Sequence, residues 1–100
     1  MMLIEEVVKV EVTGSDIIQA NEDHCPITNA IAYTIHVDGD QLEVSNNRVI
    51  IFDDYDMPLA AYSYGEGKEV VKSFLDSWYR HLCGCEEIFE QFEFELIKRK

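Results

Sequence analysis

The residues best able to do chemistry fall in a few short stretches. His81, Cys83 and Cys85 lie within five positions, and His24-Cys25 would complete a set of four ligands if the two stretches met. Zinc takes four nitrogen or sulfur ligands in a tetrahedron, and soft thiolates suit it. The C-x-C spacing around Gly84 is tighter than structural zinc sites use. The competing reading is that Cys83 fills space at a helix end while His81 sits where a helix C-terminus favours a cation. Cys25, directly before Pro26, stands where a helix N-terminus would stabilise a thiolate. Adjacent side chains such as His24 seldom face one another, and no acidic orienter or oxyanion donor accompanies the pair. A small residue anchoring the start of a helix is the simpler reading. No metal, no cofactor and no catalytic residue is therefore expected, and the chain reads as a protein that is not an enzyme.

A third stretch, Asp53-Asp54-Tyr55-Asp56, lacks the glycine-bearing twelve-residue pattern of a calcium loop. Its functional reading is an acidic recognition loop in which Tyr55, Tyr62 and Tyr64 add aromatic anchors to charge, a composition favoured at protein interfaces. The alternative is a solvated loop whose tyrosines pack back on a sheet. Glu86, Glu87 and Glu90 form a second acidic run. These two clusters, Asp53, Asp54 and Asp56 with Tyr55, and Glu86, Glu87 and Glu90, are the expected partner-binding residues.

Charge points the same way. Twenty acidic residues face eight basic ones, and three of the eight are Lys98, Arg99 and Lys100. Such a surface repels nucleic acid and anionic membranes and steers toward basic proteins, although solubility alone would also account for it. No basic patch precedes the final three residues and no glycine-rich phosphate loop is present, so direct nucleic-acid binding is not expected. No stretch has the length of a membrane span. MMLIEEVVKV lacks a basic n-region and is not expected to be a signal peptide. Three cysteines cannot pair completely within one chain, which fits a reducing, cytoplasmic location.

The elements that must position these residues start from Gly67 to Leu82. There Val70, Val71, Phe74, Leu75, Trp78 and Leu82 recur on one helix face, and this helix is expected to close the core over a sheet. Alternation predicts a strand over 3–12. Thr13 to Asp16 has capping-box spacing for a helical turn through Ile17, Ile18 and Ala20. Pro26 suits the first position of a helix whose inner face is Ile27, Ala30, Ile31, Thr34 and Ile35. Asp38-Gly39-Asp40 is a turn, and strands over Gln41 to Ser45 and Arg48 to Phe52 join at Asn46-Asn47, residues that tolerate positive φ. Residues 53–66 read as irregular, because Pro58 argues against a central strand. Gly84 is a plausible cap, Glu86 to Gln91 reads as turn-like, and Phe92, Phe94 and Leu96 alternate in a last strand. The expected fold is a single α+β domain over 1–100. It is a two-layer sandwich with a small antiparallel sheet in β-α-β-β-α-β order and both helices on one face, the two end strands pairing in its middle.

VEVTGSDIIQANEDHCPITNAI resembles the opening of a family of small uncharacterised bacteriophage proteins, with its Cys25-Pro26-Ile27 step, and FEFEL at 92–96 is similar to the strand that closes them. A looser similarity in plan is to acidic phage anti-CRISPR proteins. That resemblance implies a phage-encoded, stoichiometric inhibitor, a possible DNA mimic. Its carboxylates would occupy a basic, nucleic-acid-binding surface of a host defence complex. Two alternatives stand beside it. One is an immunity protein or antitoxin that neutralises a basic nuclease, and the other is a small zinc- or thiol-dependent protein using Cys25, His81, Cys83 and Cys85. An exposed edge strand would allow either a monomer or a homodimer by sheet extension.

Overall fold

The computed structural model describes residues 5–99, so the first two positions of the expected opening strand (3 and 4) and Lys100 of the basic tail lie outside the described residues. The fold is α+β: an open five-stranded antiparallel sheet with helices packed against it. The strands are β1 (Glu5–Val12), β2 (Leu42–Val44), β3 (Arg48–Phe52), β4 (Pro58–Tyr64) and β5 (Phe92–Arg99), and the helices are α1 (Gly14–Ile18), α2 (Pro26–Ile35) and α3 (Lys68–Leu82). Spatial order is β1-β5-β4-β3-β2.

Local signals explain several boundaries. Thr13 caps α1 through the reciprocal bonds of a capping box, its hydroxyl accepting from Asp16 N–H while its own N–H donates to the Asp16 carboxylate at 2.9 Å. Pro26 occupies the first turn of α2, where a missing N–H costs nothing. At the β2–β3 hairpin neither Asn46 nor Asn47 adopts positive φ. Ser45 ties that turn instead, its Oγ accepting from the N–H groups of Asn47 and Arg48.

The first and last strands pair side by side over their full length, from Glu5↔Arg99 to Val12↔Phe92. They do not lie in the middle, however: β1 is an edge, and β5 is second from it. The strand between β5 and β3 is β4, inside the stretch expected to be irregular. Pro58 is tolerated because it is the first residue of β4 and lies opposite Phe52, where the register shifts between Ile51 and Phe52.

Even-numbered residues of β1, β4 and β5 and odd-numbered residues of β3 line one face. Val10, Val12, Val49, Ile51, Tyr62, Tyr64, Phe94 and Leu96 are buried there. Ile27, Ala30 and Ile31 of α2 complete this core, and α2 touches both β1 and β2, the two edges of the sheet. Ten helical residues span about 15 Å, against about 19 Å for four inter-strand steps, so α2 lies across the strands. The role expected of α3 thus falls mainly to α2. From α3, Val71, Phe74 and Trp78 are buried, whereas Val70 and Leu82 remain exposed. Phe74 packs on Phe92 and on Phe89, at the Phe92 end of the sheet. Among the described residues no helix covers the opposite sheet face, where Val7, Lys9, Glu11, Ala61 and Glu93 are all exposed.

Candidate functional site

The acidic loop is the β3–β4 hairpin tip, and its chemistry begins with a division of labour among three aspartates. Asp53 is half-buried, and its Oδ1 accepts hydrogen bonds from Tyr55 N–H at 2.8 Å and Met57 N–H at 2.9 Å. Its own N–H donates to the Met57 carbonyl, and Asp56 N–H donates back to the Asp53 carbonyl. Asp56 takes φ 61°, a left-handed conformation that a short polar side chain tolerates better than most. Asp53 is therefore the brace of the turn. What the brace presents is Asp54 and Asp56, both exposed, around Tyr55 at 86% exposure, with Met57 at 61% and Leu59 at 64% beside it. Tyr62 and Tyr64 do not join this surface; they face the core, and the Tyr64 hydroxyl donates to the Ser45 carbonyl at 2.6 Å. Burial pushes the Tyr64 phenol well above its ordinary value.

The second acidic run leads from α3 to β5. Glu87 accepts from Arg80 Nε, and that bond raises the guanidinium pKa. Phe89 turns inward against Phe74, Trp78 and His81. Glu86, Ile88 and Glu90 remain exposed, Ile88 at 91%. Phe89 was not singled out in the sequence because it falls outside any periodic run. Its partners Phe74 and Trp78, four apart on one helix face, were the available signal.

The strand register separates the two acidic groups. Pro58 to Tyr64 is six steps along β4, Tyr64 pairs with Leu96, and Leu96 to Phe92 is four more steps in the same direction. Ten steps amount to about 33 Å. The Asp53–Asp56 and Glu86–Glu90 clusters therefore occupy opposite ends of a molecule 50 Å long and do not form one surface.

Cys25, His24 and His81 are each engaged locally. Cys25 is the N-cap of α2, its Sγ 3.4 Å from Thr28 N and 3.2 Å from Thr28 Oγ1. His24 Nε2 lies 2.8 Å from Asp40 Oδ1. His81 stacks on Trp78 and Phe89, and Cys83 and Cys85 are exposed. Among the described residues no three His, Cys, Asp or Glu side chains gather as a metal site. No helix among them is long and apolar enough to cross a membrane.

A search of family models, curated proteins and solved structures finds no match for this chain.

Proposed function

We propose that this chain is a non-enzymatic acidic inhibitor that binds a basic, nucleic-acid-handling protein through the β3–β4 hairpin tip. The observation that carries this reading is the braced tip itself. A turn fixed by three bonds between Asp53 and Met57 or Tyr55 holds a large aromatic and two thioether or aliphatic side chains out in solvent, flanked by Asp54 and Asp56. Ordering such groups before binding lowers the entropic cost of association, and a tyrosine ringed by charge is the usual make-up of an interface anchor. Carboxylates at the rim steer a basic partner and hold register, while Tyr55 supplies the desolvated contact.

The resemblance to acidic phage anti-CRISPR proteins supports a host defence complex as the target and the cytoplasm of the host cell as the place of action. With the acidic clusters some 33 Å apart, the reading places the anchoring contact at Asp54, Tyr55 and Asp56, with Asp53 holding them, and leaves Glu86, Glu87 and Glu90 as a separate acidic surface for a large basic partner. The test is a pull-down from host lysate at low and high salt. A basic nucleic-acid enzyme retained at low salt, released by salt or added DNA, and lost with Tyr55→Ala or the pair Asp54→Lys and Asp56→Lys supports the proposal. Retention that survives both substitutions removes the hairpin tip from it.

A further inference from the structure

We infer that the free edge of β1 is a second binding site, one that takes an extended basic peptide segment of a partner as a sixth strand. Among the described residues, the sheet order leaves β1 paired on one side only, over eight residues from Glu5 to Val12. Along the half of this edge nearer α1 runs an open groove of about 730 Å³ touched by Lys9, Glu11, Asp16, Asn29 and Tyr33. Lys9 and Glu11 belong to the sheet face opposite α2, whereas Asn29 and Tyr33 belong to α2 itself. A groove in contact with both sets must pass over the edge of β1, with α1 and α2 as its wall. An edge strand beside a helical wall is the geometry in which a peptide adds by main-chain hydrogen bonds and is selected by alternate side chains.

Two features keep this edge available. A lysine on an edge strand usually blocks pairing by projecting its charge outward. Here Lys9 Nζ is held 3.0 Å from Glu93 of β5, so the ammonium leans inward over the sheet. Tyr33, at 82% exposure, stands on the wall without contributing to the core. Its ring offers a face to an alkyl chain or a cation.

Charge selects the occupant. Glu11 of β1 and Asp16 across the groove set two carboxylates against Lys9, whose ammonium Glu93 already engages. A second copy of β1 would set this acidic strand against itself in a protein of net charge −12, and like charges on facing strands are destabilising. A strand with lysines at alternate positions meets the opposite sign. Eight residues of β1 offer about 27 Å of edge. This site is independent of the hairpin tip and stands or falls separately from it.

The probe is a fluorescein-labelled octapeptide alternating lysine with threonine or valine. It is compared by polarisation with a peptide of equal charge in which prolines replace two central residues, removing strand hydrogen bonds. The strand-competent peptide is expected to bind at least tenfold more tightly than the proline one. Glu11→Lys or Tyr33→Ala, both at exposed positions, should weaken it at least fivefold, while Tyr55→Ala leaves it unchanged. Equal affinity for the two peptides would reduce the effect to non-specific charge and overturn the proposal. So would sedimentation showing a dimer that Glu11→Lys dissociates, since the edge would then belong to a second copy.

Discussion

Replacing Gly67 with alanine asks two separable things of the backbone at the start of α3. Gly67 has φ +90°, and an added Cβ would lie 2.8 Å from Phe94 Cβ and 3.0 Å from both Phe94 Cα and the Glu93 carbonyl oxygen. The obstacles are backbone and near-backbone atoms of β5, which cannot swing aside. Gly84, just past the end of the same helix, has φ +97° but nothing within 4 Å of its would-be Cβ. Each alanine incurs a left-handed backbone cost of about 1–2 kcal/mol, partly offset by about 0.4–1 kcal/mol from a stiffer unfolded chain. Only at Gly67 is overpacking added, about 1–3 kcal/mol. The difference between Gly67→Ala and Gly84→Ala isolates that contact. Urea unfolding followed by Trp78 fluorescence reads it directly. With a slope of about 1–3 kcal/mol per molar urea for a small domain, a gap of about 2 kcal/mol moves the midpoint by roughly 1 M. Equal midpoints for the two variants would mean that α3 does not start against β5 as described.

Further expectations follow from single side chains. Tyr64 ionises with difficulty when folded, so its contribution is complete below pH 10 and falls as pH rises above 10, at up to about 1.4 kcal/mol per pH unit. Tyr64→Phe should cost about 0.5–1.5 kcal/mol at neutral pH through the lost bond to Ser45 yet flatten the alkaline loss; an unchanged alkaline slope contradicts the burial of that hydroxyl. Asp53→Ala is expected to destabilise by about 1–3 kcal/mol, since two loop amides lose their acceptor. Asp54→Ala should stay within about 0.5 kcal/mol as an exposed change, and thermal melts of equal midpoint would refute the brace. Phe89→Ala should cost about 2 kcal/mol, less than a fully buried phenylalanine, and alter the near-ultraviolet dichroism of Trp78, which it contacts.

Most of the architecture was legible where the signal is local. Capping at Thr13 and the Cys25-Pro26 start of α2 depend on neighbours in sequence, and alternation marks β1 and β5 because each has one wet face. β4 was hidden because Pro58 stands at its head and Ala60, Ala61 and Ser63 give weak contrast. Only Tyr62 and Tyr64, two apart and both buried, betrayed it. Amphipathic pattern gave α3 its inner face but not its destination, and the helix that crosses the sheet proved to be α2. For the candidate site, composition picked out the hairpin tip yet could not rank three aspartates within four residues. A hydrogen bond to a backbone amide leaves no mark on residue type. Nor could it place Glu86 and Glu90 far from Asp54, since that distance depends on strand order, which residue spacing does not encode.

The pairing of β1 with β5 has a bearing on how the protein is made. Its partners are separated by 80 residues at Val12↔Phe92 and by 94 at Glu5↔Arg99, and β5 also supplies the inner neighbour of β4. On the ribosome every other element of the domain is synthesised before β5 appears. Until then β1 and the β2–β3–β4 meander share the packing of α2 but no strand pairing, and both keep open flanks. Contacts this distant in sequence slow folding, and unpaired flanks invite capture by other chains. A nascent chain halted at residue 91 is thus expected to hold α2 and the meander in a collapsed, protease-sensitive state, and release of the last eight residues of the sheet to convert it in one step. Trypsin resistance of stalled chains of increasing length would show that step, and a gradual gain of resistance from residue 60 onward would rule it out.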